Sequence, residues 1–106
     1  MDALLRERWA LTLESGNYQQ ATGVLRNRKN ECCCLGVLCD LVDPSGWGYS
    51  NSRAGAYPVH YHNEVMPSAS FLEEIGLEQN DANRLSKLND SGMSFDDIAK
   101  EVRKLP

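Results

Sequence analysis

The chain has 106 residues, with 11 Lys and Arg against 15 Asp and Glu, and a formal net charge of −4. Its 42% hydrophobic and 25% charged residues are typical of a folded globular chain and exclude a disordered or collagen-like one. The length is that of one small domain, which we place at residues 1–106. No apolar stretch is long enough to cross a bilayer, so we expect no membrane partner. An acidic chain neutralises few phosphates, so we expect no general affinity for nucleic acid.

The first element in chain order is a predicted helix over residues 2–14. Leu5, Trp9 and Leu13 recur every four residues and form one apolar face. Gly16 follows as a helix stop, since it adopts a left-handed conformation without a Cβ penalty. Met1 leads directly into this charged helical pattern, so we expect no signal peptide.

A small antiparallel hairpin is predicted next. Its arms are residues 24–26 and 31–34, and residues 27–30 form a polar turn between them. The apolar run 35–42 fits helical and strand spacing equally well. We favour a helix that ends before the following Asp-Pro pair, with Gly36 allowing close packing against a neighbouring backbone.

Residues 44–67 form a long segment without clear periodicity, rich in proline and aromatic residues. Such a segment is often functional, or it contains a short hairpin, and 47–60 allows a second one.

Three short helices are predicted after it. The first follows Ser68, the second covers 81–89 with Asn80 or Asp81 as its cap, and the third follows Ser94 in a capping-box pattern. The fold class is therefore α+β, with four to five short helices, one small antiparallel β-hairpin and a possible second one in 47–60.

The cysteines are clustered within eight residues, whereas a disulfide framework joins distant segments of a secreted chain. We therefore interpret them as reduced thiols in an apolar core. A Cys/His metal site is the alternative, although its spacing does not match the usual zinc knuckles. Its ligands would come from Cys32, Cys34, Cys39, His60 and His62.

Three motifs carry a resemblance to a known group. They are W-x4-E-S-G-x-Y-x-Q-x2-G-x-L from Trp9, CCLGVLCDL from Cys33, and LND-x-G-x-SF-x2-IA from Leu88. Together they resemble a group of small uncharacterised proteins encoded in tailed-phage and prophage genomes. This chain departs from that pattern by a third adjacent thiol at Cys32. The resemblance implies a phage origin and a place of action in the cytoplasm of a bacterial host, and it transfers no activity.

The aromatic and arginine side chains form the predicted ligand- or partner-binding set. Rings offer stacking surfaces, and guanidinium groups bind anions. The set is Arg26, Arg28, Trp47, Tyr49, Arg53, Tyr57, His60 and Tyr61, with Lys29 beside the two arginines of the turn. A polar pocket shared by Gln20, Asp40, Asn89 and Asp90 is a second candidate.

The leading functional hypothesis is a phage-encoded, non-enzymatic accessory protein without a cofactor. It would bind a host factor, either a host protein or a small nucleotide signal, and counteract host defence. The alternatives are a metal or thiol enzyme that uses the Cys cluster, and a helix-turn-helix regulator over 81–105. Asp96 and Asp97 would face the phosphates in that regulator, which disfavours it. A homodimer that shares the Trp9 or Phe71 face is also considered.

Overall fold

Five helices and one two-stranded antiparallel sheet make up the fold, which a computed structural model describes over residues 1–106. The predicted α+β class with short helices and a hairpin is confirmed. The helices are α1 (Ala3–Glu14), α2 (Cys34–Val42), α3 (Ala69–Ile75), α4 (Gln79–Asp90) and α5 (Phe95–Arg103). The strands are β1 (Trp47–Ser52) and β2 (Gly55–His60), and a 3₁₀ turn at Pro44–Gly46 precedes β1.

Side-chain caps explain where most helices begin. The Asp2 carboxylate accepts from the Leu5 amide at 3.1 Å at the start of α1, and the Ser68 and Ser94 hydroxyls play the same part in α3 and α5. Each cap pairs an amide that has no partner within its helix. The predicted cap of α4 is wrong, because α4 begins at Gln79, and Glu78 in the cap position makes no side-chain cap hydrogen bond.

The core is one cluster of 21 buried apolar residues drawn from every helix. Trp9 is fully buried, and its indole Nε1 donates to the Cys34 carbonyl at 3.0 Å, which fixes α1 against α2. Phe71 is 6% exposed. The surface that we considered for a homodimer is therefore not available, because both aromatic residues are already buried within one chain.

Arg103 connects the last helix, α5, to the first, α1. The Arg103 guanidinium at the end of α5 donates to the carboxylates of Glu7 and Glu14 on α1, at distances between 2.7 and 3.3 Å. The hydrogen bond from Arg103 lowers the pKa of Glu14. These bonds fix the register of α5 along α1, with which it packs closely.

The predicted hairpin at 24–34 is wrong in its location. Residue 32 forms only isolated bridges there, with Gln20 in parallel and with Arg26 in antiparallel orientation. Because α2 already begins at Cys34, no length remains for a second strand. The possible second hairpin in 47–60 is confirmed and is the one that forms, with β1 and β2 pairing over six residues each.

Gly36 has the predicted role in close packing. A Cβ at this position would lie 1.8 Å from the Leu25 carbonyl oxygen, which is far inside van der Waals contact. The segment before α2 therefore lies directly against the backbone of the helix.

None of the five helices combines the length and the apolar character that a membrane span requires.

Candidate functional site

A groove of about 540 Å³ lies between the 26–31 turn and the β1–β2 hairpin. This volume lies within the range of small-molecule sites. The groove contains three cationic, two acidic and one aromatic side chain. Its lining residues are Val24, Arg26, Asn27, Arg28, Lys29, Glu31, Ser52, Tyr57, Pro58 and Glu64.

Asn27 builds the turn that forms one wall of the groove. Its side-chain oxygen accepts from the Lys29 and Glu31 amides, both at 2.9 Å, and its side-chain nitrogen donates to the Glu31 carboxylate at 2.7 Å. Asn30 has a φ of 62°, in the left-handed region that asparagine tolerates. The turn is thus held by its own side chains, with the Glu31 carboxylate already oriented.

Arg28 connects this turn to the tip of the hairpin. Its Nε donates to the Ala56 carbonyl at 2.9 Å, and one terminal nitrogen lies 3.3 Å from the Gly55 carbonyl and 3.5 Å from the Ser52 hydroxyl. These contacts close the groove at the hairpin tip and leave the other terminal nitrogen without a protein partner.

Arg26 lies deeper and is held by an aromatic ring and a carboxylate. Its guanidinium carbon is 4.4 Å from the centre of the Trp47 ring, a cation–π arrangement. Asp40 accepts from Arg26 at 3.4 Å and from the Trp47 indole at 3.0 Å, and it also accepts from the Tyr18 hydroxyl. Burial and then the hydrogen bond to Asp40 raise the pKa of Tyr18. The Nε of Arg26 is buried and has no partner.

Of the five charged side chains of the groove only Arg26 takes part in an ion pair, and of the other four those of Lys29 and Glu64 also form no hydrogen bond within the chain. Neither Lys29 nor Glu64 takes part in any ion pair of the chain. Their backbones are held by different contacts. Lys29 belongs to the turn that meets the hairpin tip, whereas the Glu64 carbonyl accepts from the Leu25 amide at 2.8 Å at the base.

The predicted aromatic set is divided by the sheet. Tyr57 pairs with Ser50, and Tyr49 pairs with Pro58, so strand alternation directs the two tyrosines to opposite faces. Tyr57 lines the groove, whereas Tyr49 is 73% exposed. Arg53 lies at the exposed hairpin tip.

His60 packs into the fold instead of the groove. It is 1% exposed, and its ring contacts the rings of Trp47, Tyr61 and Phe71 edge-on at 4.9 to 5.2 Å between centres. Its Nε2 lies 2.9 Å from the Asp43 carbonyl, while the Tyr61 hydroxyl donates to the Asp43 carboxylate. Of the predicted set, only Arg26, Arg28 and Tyr57 line the groove.

Three of the four residues of the predicted polar pocket form one hydrogen-bond network. Asn89 is fully buried, and its amide accepts from the Cys34 amide at 3.1 Å and donates to the Ala21 carbonyl at 2.8 Å. Gln20 donates to Asn89 at 3.0 Å, and Asp90 lies next to it along α4. Because these groups satisfy one another, they fasten the 17–23 segment to the core. Asp40 is not part of this network and belongs to the Arg26 site.

The cysteine thiols are arranged for packing. All four are free and buried. Burial raises the pKa of Cys33 to about 11 and also raises the pKa values of Cys32, Cys34 and Cys39. A thiol that stays protonated at neutral pH is a poor nucleophile, which speaks against the thiol-enzyme alternative.

The predicted metal ligand set is not assembled. No group of three or more His, Cys, Asp or Glu side chains in the chain is close enough to hold a metal ion. His62 is exposed in the turn that follows β2, whereas the three cysteines of the set lie in the core.

The helix pair α4–α5 has the order of a helix-turn-helix but not its electrostatics. The apolar face of α5, which includes Phe95, Ile98 and Val102, is buried in the core. Asp96 and Asp97 are exposed at its N-terminal end, where a recognition helix meets DNA.

Sequence reasoning missed part of the groove. The Asn27 signal was present, since an asparagine at the start of a polar turn often bonds the following backbone amides. Glu64 and Pro58 gave no signal, because only tertiary hydrogen bonds and strand pairing bring them beside the turn.

Comparisons with known proteins give a family and no function. No curated protein sequence and no solved structure matches the chain. The family model described as a domain of unknown function, DUF8296, matches residues 1–68, and all ten groove residues lie within this segment. The chain therefore belongs to the DUF8296 family.

Proposed function

We propose that the protein is a phage- or prophage-encoded accessory protein that acts by binding a small nucleotide of its bacterial host in the groove. The phage origin comes from the resemblance of its three sequence motifs. A role in counteracting host defence would follow if that nucleotide is a defence signal.

The observation that carries the proposal is the cationic wall of the groove beside an aromatic ring. Arg26, Arg28 and Lys29 lie along one turn, and the half-buried Tyr57 lies opposite them on β2. A nucleotide presents the two complementary features, a phosphate group and a flat ring.

Lys29 is the strongest anion-binding group in this wall. The Arg26 guanidinium already faces Asp40 and Trp47, and Arg28 is largely occupied by the hairpin backbone. The Lys29 ammonium has no carboxylate partner. Its charge is therefore available to a phosphate.

A small nucleotide fits this region better than a host protein does. Protein partners commonly bury about 800 Å² on each side, around aromatic anchors. His60 is buried and Trp47 is partly buried against it. The exposed Tyr49 lies on the face of the sheet opposite Tyr57 and the groove.

The test is a calorimetric titration with ATP, GTP, CTP, UTP and cyclic mono- and dinucleotides, at low and at moderate salt. We expect at least one to bind, with an affinity that falls as salt rises, because the contact is electrostatic. Lys29→Glu should weaken that binding by about 10-fold or more, as expected when a charged hydrogen bond is replaced by repulsion.

Arg8→Glu is the matched control. It makes the same change of charge on the exposed surface of α1, at a residue that forms no ion pair and lies outside the groove. It should bind like the unmodified protein. If no nucleotide binds, or if both variants weaken binding equally, the groove is not a nucleotide site.

A further inference from the structure

We infer that the groove selects a guanine base, read by the carboxylate of Glu64, while the phosphates lie at the opposite end. This inference rests on the proposed function and names the class of ligand. It comes from the order of charges along the groove.

The two ends of the groove differ in the charged groups that are free to bind a ligand. Arg26 lies over Trp47, the strand partner of His60, but is paired with Asp40. Glu31 lies in the same turn as Lys29, but one of its oxygens is bonded to Asn27. Arg28 bonds to the carbonyls of Gly55 and Ala56, which places its guanidinium at the hairpin tip, and Lys29 is the next residue of the same turn. At the other end, Asn63 pairs with His60 at the end of β2, and Glu64 follows it. The distance along β2 between these ends, from Ala56 to His60, is roughly 13 Å.

Tyr57 lies between the two ends and presents its ring as a flat surface on the groove side of β2. A bound ring stacked there would direct one edge toward Glu64 and its phosphate-bearing side toward Lys29. The order cation, ring platform, carboxylate therefore matches a nucleotide whose base edge donates hydrogen bonds.

Guanine is the base that a carboxylate recognises best. Its N1–H and its exocyclic amino group donate in parallel, and the two oxygens of one carboxylate accept both. Adenine and cytosine offer one amino group beside a ring nitrogen that accepts, and uracil offers a single N–H. A carboxylate beside an acceptor nitrogen is repulsive, so the pairing discriminates as well as binds.

Glu64 is free to form this pair. It enters no ion pair, and its side chain is exposed to the groove. The Asn27 amide occupies one oxygen of Glu31. Glu31 therefore has only one free oxygen for a base edge that donates two hydrogen bonds.

The test compares GTP, ITP and ATP in calorimetric titrations of the full chain. The base of ITP keeps the N1–H of guanine and lacks its amino group. We expect GTP to bind more tightly than ITP, and ITP more tightly than ATP, with about 10-fold or more between GTP and ATP, because each charge-assisted hydrogen bond contributes to the difference.

Glu64→Gln should bring the three affinities to within about twofold, chiefly by weakening GTP, because an amide offers one acceptor in place of two. Glu73→Gln, an exposed position on α3 outside any ion pair, is the matched control and should preserve the difference.

The outcomes separate the two proposals. Equal binding of GTP and ATP that still weakens with Lys29→Glu overturns the guanine preference and leaves nucleotide binding in place. A GTP preference that survives Glu64→Gln overturns the role of Glu64. Failure of all three nucleotides to bind, together with the wider panel, overturns the nucleotide site itself.

Discussion

The cysteine-rich region around α2 and the groove beside the hairpin differ in how they use polar groups. Around α2, every hydrogen-bonding group of Asn89 has a partner, and the thiols are buried. In the groove, the charged groups of Lys29 and Glu64 take part in no ion pair. Reactive residue types are therefore a poor guide to function here, and unpaired charge on the surface of a cavity is a better one.

The comparison predicts that polar changes in the α2 region cost stability, whereas those in the groove cost binding. Asn89→Ala should show the largest effect. It leaves the Cys34 amide and the Ala21 carbonyl buried without their partner, so we expect a loss of about 4 kcal/mol in the free energy of unfolding. Urea denaturation measures it.

Asn83→Ala on the exposed side of α4 is the control for that experiment, with an expected change within about 0.5 kcal/mol. If both substitutions cost the same, Asn89 does not connect the core as the hydrogen bonds indicate.

The next largest effect is expected from the buried thiols, as a loss of stability at high pH. The pKa of Cys33 rises from 9.0 to about 11 on burial, so the folded state favours its protonated form. This stabilisation is complete below pH 9 and is lost as pH rises through the folded pKa. At pH 11 the loss due to Cys33 should be about 2–3 kcal/mol.

Urea denaturation between pH 8 and pH 11 gives the slope of the free energy of unfolding against pH. Cys33→Ala should reduce this slope, whatever stability the substitution costs at neutral pH. An unchanged slope in the variant would show that Cys33 does not contribute to the alkaline loss.

The smallest effect on stability is expected at the groove. Arg28→Ala removes the hydrogen bonds to the hairpin tip, and because they are exposed we expect a loss of about 1 kcal/mol. Arg53→Ala, at the same tip, forms no ion pair and should change stability by less than about 0.5 kcal/mol. Thermal unfolding of the two variants, measured side by side, compares these losses of stability. A larger loss for Arg53→Ala than for Arg28→Ala would show that the Arg28 hydrogen bonds do not stabilise the hairpin tip.

Local patterns predicted the helices well. The apolar spacing around Trp9 and the serine cap at Ser94 depend on residues within one or two turns, so the sequence alone reveals them. Asn89 was predicted as part of a candidate polar pocket, but its burial depends on three segments that meet only in the folded chain: residues 20–21, the start of α2, and α4.

The hairpin and the groove were harder to predict for a physical reason. The segment 24–34 has good strand residues, but Cys32 pairs with two different neighbours, and α2 begins two residues later. Tyr49 and Tyr57 look equivalent in the sequence, and the strand register alone places them on opposite faces. Register is a tertiary property that composition does not encode.

The clasp of Arg103 on Glu7 and Glu14 has a consequence for how the chain folds. Arg103 lies 96 residues from Glu7 and 89 residues from Glu14, so α1 contacts α5 only after most of the chain has been synthesised, whereas its contact with α2 through Trp9 forms between residues much closer in sequence. Contacts this distant in sequence require closure of a long loop and slow folding. During translation, α1 is therefore covered only in part, by α2, until α5 has been made, and a chaperone that binds exposed apolar helices would bind it in that interval.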